Sequence, residues 1–290
     1  MNKSRRYWGL IFVAPQAIGL IIFSLIPLAQ AFFISFTKWD GMQDVKEWVG
    51  LGNYIYQFSN PDFSKSMLNT VKYMVVFVPL NIILALFIAM ALKNIIGKTI
   101  YRLIYFMPVV TGSVSVGVIW TWLLNADTGL VNMLLKLVNG PQIKWLTDPK
   151  LVLISIALVS IWWNMGYNMV IFLAGLQSIP LGYYEAAAID GAGKLKQFKH
   201  ITLPMISPTI FFTMITTIIS SFQVFDQAFV MTKGGPAKAS LTFVFYIYED
   251  AFRKFTMGRA SASAMVLFVI ILVITGIQMI LSKKWVTYDV

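Results

Sequence analysis

The chain has 290 residues, of which 58% are hydrophobic and 12% charged, with a mean hydropathy of +0.74. A soluble domain carries about 25% charged residues, and half that density cannot clothe a water-facing surface, so the composition excludes a soluble protein and indicates a polytopic membrane protein. The net charge of +11 is scattered between apolar runs with no basic stripe of interleaved aromatics, which excludes nucleic acid as a partner; zero cysteines and a single histidine, His200, exclude disulfides, thiolate metal sites, cysteine nucleophiles and histidine metal clusters.

The chain opens on Met1-Asn2-Lys3-Ser4-Arg5-Arg6, like the basic start of a signal peptide, and Ala29-Gln30-Ala31 looks like a cleavage site. The apolar run from Tyr7 to Phe36 is far longer than the about 7–15 residues of a signal core, so an uncleaved first span is expected. A spanning helix needs about 20 mostly apolar residues. Six segments qualify: about Leu10–Phe36, Met67–Leu92, Ile100–Leu124, Leu151–Gln177, Pro204–Met231 and Ser261–Leu281. The expected fold is all-α, a single transmembrane domain over residues 1–290 built as a six-helix bundle. Pro15, Pro27, Pro79 and Pro108 fall inside spans and predict kinks, which neighbouring helices re-satisfy in a membrane. The longest segment between spans, about Thr37–Ser66, has turns marked by Gly41, Gly50, Gly52 and Pro61.

Lysine and arginine favour cytoplasmic loops. With the N-terminus inside, that side collects Lys3, Arg5, Arg6, Lys93, Lys98, Arg102, Lys194, Lys196, Lys199, Lys283 and Lys284, offset by Glu185, Asp190 and Asp289. The outer loops mix signs: Lys38 with Asp40, Asp44, Lys46 and Glu47, and Lys144 with Asp148 and Lys150. Lys233, Lys238, Arg253, Lys254 and Arg259 fall outside and break the trend, yet an even span count keeps both basic termini on one side. Trp39, Trp48, Trp145 and Trp285 lie near span ends, as interfacial anchors do.

Polar side chains inside spans are costly and mark cavities or helix contacts. Thr111 and Ser113 follow Pro108 on the third span. On the fourth, Ser160, Trp163, Asn164 and Tyr167 recur at i, i+3, i+4 and i+7 on one face, with Asn168 at its edge. On the fifth, Phe222, Gln223 and Asp226 form a similar face, and Asp226 is the one acidic residue well inside a span. Aromatic rings beside amides and hydroxyls suit a sugar: its C–H faces stack on rings and its hydroxyls exchange hydrogen bonds. Helix–helix packing is the competing account, particularly for Thr111 and Ser113. Trp162 and Trp163 cannot both share the polar face, and one of them is left for lipid.

Between the fourth and fifth spans runs Tyr184-Glu185-Ala186-Ala187-Ala188-Ile189-Asp190-Gly191, then Ile201-Thr202-Leu203-Pro204. Pro180 suits the first turn of a helix, Glu185 and the alanines favour helix, and Gly191 suits a left-handed cap. A short helix over about Leu181–Asp190 follows, with a flat alanine face that another backbone can approach. Three alanines with Glu and Asp make a poor apolar face for lying on a membrane. Ile201 and Leu203 are expected to pack on the bundle, and Pro204 to restart the next span.

The spacing of Glu-Ala-Ala, Gly191 and Ile-x-Leu-Pro resembles the cytoplasmic coupling loop of membrane subunits of binding-protein-dependent ABC importers. Gln177–Pro208 as a whole resembles the sugar-importing branch, the maltose-type permeases, as do Thr232-Lys233-Gly234-Gly235-Pro236 and Tyr246–Phe252. The maltose permease proper carries extra N-terminal spans and a large outer domain, so this chain is more similar to the standard six-span members and maltose is not implied. The resemblance implies a translocation subunit in the bacterial plasma (inner) membrane with both termini cytoplasmic. Its implied partners are a second homologous permease, two cytoplasmic ATPases, an extracytoplasmic sugar-binding protein, a carbohydrate and membrane lipid. Tyr184, Glu185, Ala186, Ala187, Asp190 and Gly191 are its implied ATPase-coupling residues in the loop over 178–204. No Gly-x-x-x-x-Gly-Lys-Ser/Thr occurs, so the chain is expected to bind no cofactor or metal, ATP and Mg belonging to the partner ATPases, and to be no enzyme itself. The rival class is a proton-coupled secondary transporter with Asp226 as carrier, in which the Glu-Ala-Ala loop has no purpose.

Overall fold

The structure is a computed structural model and describes residues 3–93 and 95–287. Met1, Asn2 and Asp289, assigned above to cytoplasmic termini, lie outside the described residues. Among the described residues, four helices are long and apolar enough to cross a membrane singly, and two bent pairs bring the number to six.

The first span consists of α1 (Lys3–Leu20) and α2 (Ile26–Ile34), joined by a π turn at Ile21–Leu25. The kink expected at Pro27 is this π turn: a proline offers no N–H and crowds the carbonyl four residues back, here Phe23. No residue of Ile11–Ile34 is buried. A short antiparallel pair follows, β1 (Thr37–Lys38) with β2 (Glu47–Trp48), then α3 (Gly52–Ser59) and α4 (Pro61–Leu92), which carries Pro79 without breaking.

The third expected span is not one helix. Its parts, α5 (Lys98–Val110) and α6 (Ser113–Leu123), meet at 95°. Pro108 weakens the end of α5, and Thr111 and Gly112 are extended, with ψ of 134° and 137°. After α7 (Leu130–Leu137), α8 (Val152–Gln177) matches the fourth expected span.

The loop after it holds α9 (Leu181–Ile189), α10 (Lys194–Gln197), a π turn at Phe198–Thr202 and α11 (Leu203–Met205). Two expectations shift here. Pro180 caps α9 from outside, with ψ 134°, and does not sit in its first turn. The restart falls at α12 (Ser207–Phe222), inclined 64° to Lys194–Met205, with Pro208 in its first turn in place of Pro204. The fifth expected span is also cut short: Gln223–Phe225 leave the helix before α13 (Asp226–Thr232). The hydroxyls of Ser220 and Ser221 donate to the carbonyls of Thr217 and Ile218 at 3.0 and 2.7 Å, a local competition that loosens a helix end. Then come α14 (Phe243–Tyr248), a π turn at Glu249–Arg253, and α15 (Met257–Ser282), which covers the sixth span.

The chain divides into two compact units. The first comprises the chain up to Phe63 with Tyr246–Ile270. Its centre is polar: buried Gln57 donates to Asp250 at 2.8 Å and to the Arg259 carbonyl at 3.1 Å, and accepts from the Tyr246 hydroxyl. Burial, and then the charge of Asp250, push the Tyr246 phenol above its usual range. Lys254 pairs with Asp250 at 2.8 Å; burial opposes its charge, but Asp250 outweighs burial and holds the ammonium above the ordinary lysine range. Arg253 pairs with Glu249 at 3.1 Å, and the Arg259 guanidinium lies 3.7 Å from the Tyr56 ring centre. Three of the basic residues that break the charge trend therefore have local partners.

The second unit is Ser64–Phe245 with the segment from Ile271. Its core joins Ala85, Ala89 and Leu92 of α4 to Met169, Phe172, Leu173 and Leu176 of α8. Lipid competes with apolar side chains as solvent, so close approach rather than burial holds such helices. Ala85 and Ala89, one turn apart and fully buried, permit it on α4. Gly166 permits it on α8, where a Cβ would overlap the Tyr105 carbonyl of α5.

Candidate functional site

The break in the fifth span opens on a cavity of about 170 Å3, and the break in the third span stands behind its wall. The α12–α13 break supplies Ser220, Gln223, Val224, Phe225, Asp226 and Gln227; α8 supplies Ser160, Trp163 and Asn164; α4 supplies Tyr73 and Phe77, stacked at 5.2 Å. The α5–α6 break braces the wall. Ser113 donates its hydroxyl to the Asp226 carboxylate, and Trp163 Nε1 donates to the Thr111 carbonyl at 3.0 Å. Non-helical backbone at membrane depth is tolerated where it is buried in protein or lines a cavity, and here two such breaks coincide.

Five of the sequence-derived pathway residues line this space together: Ser160, Trp163, Asn164, Gln223 and Asp226. Ser160 also donates to the Ile156 carbonyl at 2.9 Å. Thr111 and Ser113 stand behind the wall. Tyr167 is 46% exposed and outside the lining; it shares the face of Ser160 but lies about 10 Å further along the axis. Phe222, the last residue of α12, is buried and also outside the lining. Asn168 packs instead: its amide donates to Asn81 at 2.6 Å and Thr217 at 3.0 Å, tying α8 to α4 and α12. Sequence reasoning missed Tyr73, Phe77, Ser220, Val224, Phe225 and Gln227. Tyr73 and Phe77 are an i, i+4 aromatic pair, a signal that an apolar span conceals.

The second feature is α9. Its C-terminus is a Schellman cap: the Gly191 N–H donates to the Ala188 carbonyl at 3.0 Å and Ala192 to Ala187 at 2.8 Å, with Gly191 at φ +76°. Glu185, Ala186, Ala188, Ile189 and Asp190 are exposed, Ile189 at 87%, while Tyr184 and Ala187 turn inward. Tyr184 packs on the α4–α8 core, shares a hydrogen bond with Thr202 at 2.9 Å, and lies under the Lys93 ammonium at 4.6 Å. The helix is thus fastened through Tyr184 and presents outward Ala186 and Ala188 together with the large apolar Leu181, Tyr183 and Ile189, so the flat alanine face expected from the sequence is instead a mixed small and apolar one. Ile201 packs on the same core as expected, but Leu203 is 38% exposed, because it opens the short α11 at the rim.

The family described as binding-protein-dependent transport system inner membrane component matches residues 81–287, which contain α9 and all of the cavity lining except Tyr73 and Phe77. The chain belongs to this family. This inner membrane component is 39% identical to the probable ABC transporter permease protein YesP of Bacillus subtilis (strain 168), over 100% of the chain and 96% of the relative. It is 35% identical to the lactose transport system permease protein LacF of Rhizobium radiobacter, over 94% and 93% of the two chains. Its fold is shared with a chain in the crystal structure of a bacterial alginate ABC transporter in complex with alginate pentasaccharide-bound periplasmic protein: TM-score 0.85, 21% identity, 99% and 98% covered.

Proposed function

We propose that this inner membrane component is one of two homologous permease subunits of an ABC importer that moves a carbohydrate inward, energised by two separate cytoplasmic ATPases. The observation that carries the reading is α9, a capped helix whose exposed face of alanines and the apolar Leu181, Tyr183 and Ile189 is uncovered in the chain itself, and which is fastened to the bundle through Tyr184. On this reading Tyr184, Glu185, Ala186, Ala187, Asp190 and Gly191 form the seat for the ATPase, which brings the ATP and Mg. Closure of the ATPases presses α9; Tyr184 and Thr202 pass the displacement to the root of α12, and the bundle alternates access.

The cargo site is the cavity. Its stacked Tyr73 and Phe77, the indole of Trp163, the amides of Asn164, Gln223 and Gln227, and the carboxylate of Asp226 supply both kinds of contact a sugar makes. Enclosed ligand pockets measure about 300–1,000 Å3, so a cavity this small is one face of a site completed by the second permease. A carbohydrate cargo is supported by the relative named for lactose transport and by the structural neighbour from an alginate transporter. An external binding protein delivers it, in keeping with the family description. Both termini and the loop over 178–204 face the cytoplasm, a reading supported by the lysines and arginines collected at the N-terminus, at Lys93–Arg102, at Lys194–Lys199 and at Lys283–Lys284. The whole of residues 1–290 serves as one translocation domain.

The test is uptake of labelled lactose, maltose and alginate oligosaccharides into vesicles carrying the whole complex, with ATP and the pH gradient varied separately. ATP-dependent uptake of a carbohydrate without a pH gradient is expected. Uptake driven by a pH gradient without ATP, and abolished in Asp226→Asn, would establish the proton-coupled mechanism in its place.

A further inference from the structure

A groove of about 720 Å3 lies beside the outer portions of α4 and α8, within the second unit and apart from the cargo cavity. Val71, Val75 and Val76 of α4 and Leu153 and Ile154 of α8 line it with hydrocarbon. Val75 is 62% exposed and Ile154 42%, so the floor is open to its surroundings. One wall is the loop through Ala237 and Ala239. That loop is held to α4 by Lys65 Nζ, donating to the Ala237 carbonyl at 2.7 Å, and by Asn69, donating to the carbonyls of Lys238 and Leu241 at 3.0 Å each. Lys65 is thereby engaged. Lys72 and Lys150 also line the groove, and among the described residues neither ammonium has a hydrogen-bond or ion-pair partner. Asp148, the nearest carboxylate in sequence, accepts the backbone N–H of Lys150 at 2.8 Å.

The depth of these two lysines follows from the sequence. After Lys72, α4 runs from Tyr73 to Leu92 without a charged side chain, and after Lys150 the chain runs from Leu151 to Gln177 likewise. The first run measures about 30 Å and the second, longer one about 40 Å, against about 30 Å for the hydrocarbon core and about 40–45 Å with the headgroup regions. Lys72 therefore stands at the boundary between headgroups and hydrocarbon and Lys150 in the headgroup layer above it, with the apolar floor on the hydrocarbon side. A ligand for this groove carries negative charge at one end and hydrocarbon at the other.

We propose that the groove binds an anionic glycerophospholipid, its phosphate between Lys72 and Lys150 and an acyl chain along Val75, Val76 and Ile154. Free phosphate or a soluble headgroup leaves the apolar floor uncovered, and a zwitterionic lipid brings its own cation to the two lysines. The proposal rests on the membrane placement of α4 and α8 given above, and not on the identity of the cargo.

The experiment is native mass spectrometry of the whole importer complex in detergent, with phosphatidylglycerol or phosphatidylcholine of matched chains added in titration. The expected result is retention of phosphatidylglycerol on this subunit over phosphatidylcholine, undiminished by excess soluble glycerophosphoglycerol. A hydrogen bond to a charged group contributes at least about tenfold in affinity, so Lys72→Gln/Lys150→Gln should lose more than tenfold. Lys72→Arg/Lys150→Arg should keep the lipid, and Lys136→Gln/Lys144→Gln, with the same loss of charge elsewhere, should bind as wild type. Equal retention of the two lipids by the wild type overturns the proposal without any variant. So does equal loss in the Gln and Arg pairs, or competition by the soluble headgroup. A thiol cross-link from Val75→Cys to the second permease in the intact complex would show that protein covers the groove, and overturns it as well.

Discussion

Gly191 separates two ways in which α9 can depend on its cap. It sits at φ +76°, and a Cβ placed there meets nothing within 4 Å. Within this chain the cost of Gly191→Leu is therefore backbone strain alone, about 1–2 kcal/mol for a residue forced into the left-handed region. That amounts to an about 5- to 30-fold shift away from the capped helix end. Asparagine tolerates this conformation far better than leucine but brings comparable bulk toward whatever docks on α9. Uptake and ATP hydrolysis are measured in vesicles holding the complex. Gly191→Leu is expected to stay in the membrane and assemble, yet lose uptake while hydrolysis becomes insensitive to cargo. If the cap alone matters, Gly191→Asn restores coupling; if an ATPase backbone approaches closely, Gly191→Asn fails too. Normal uptake with normal hydrolysis in Gly191→Leu would refute the argument, since neither strain nor bulk at this point would then reach the transport cycle.

Asp226→Ala and Asn164→Ala should lower uptake at unchanged assembly. Asp226→Ala should be the more severe, since a hydrogen bond to a charged group contributes about 1.5–3 kcal/mol; Asp226→Asn should keep part of the activity, and Tyr167→Ala, outside the cavity lining, should matter least. Ser113→Ala should reproduce part of the Asp226→Ala defect and add little to it in the double variant, so full additivity in transport kinetics would separate the two residues. Because the chain has no cysteine, Gly193→Cys and Lys144→Cys can be labelled cleanly with an impermeant thiol reagent outside intact cells: Lys144→Cys should react and Gly193→Cys should not, and the reverse pattern inverts the topology. Asp250→Ala removes the carboxylate that pairs with Lys254 and accepts one of the Gln57 bonds, and should lower the thermal stability of the purified complex by about 1.5–3 kcal/mol, which Asp250→Asn should only partly relieve.

Much of this protein is local in origin, and so was legible in the chain. Apolar runs of span length need no tertiary information, and α4, α8 and α15 stand where those runs lie. The helix α9 is equally local: alanine propensity, a proline before it and a glycine after it define it to within a residue, because each acts on its own backbone. Periodicity also placed Ser160, Trp163 and Asn164 on one face of α8, which is a property of a single helix. What periodicity cannot contain is where that face meets another element. The breaks after Pro108 and after Phe222 lie in segments apolar enough to read as continuous spans, and in a membrane such breaks persist only when other parts of the fold satisfy their backbone. The bond from Ser113 to Asp226 and the bond from Trp163 to Thr111 join residues far apart in the chain, as does the closure of the cavity by Tyr73 and Phe77. For the same reason Tyr167 and Phe222 stand outside the lining: helix pitch sets the direction of a side chain, and only packing against neighbouring helices sets the depth at which a cavity opens beside it.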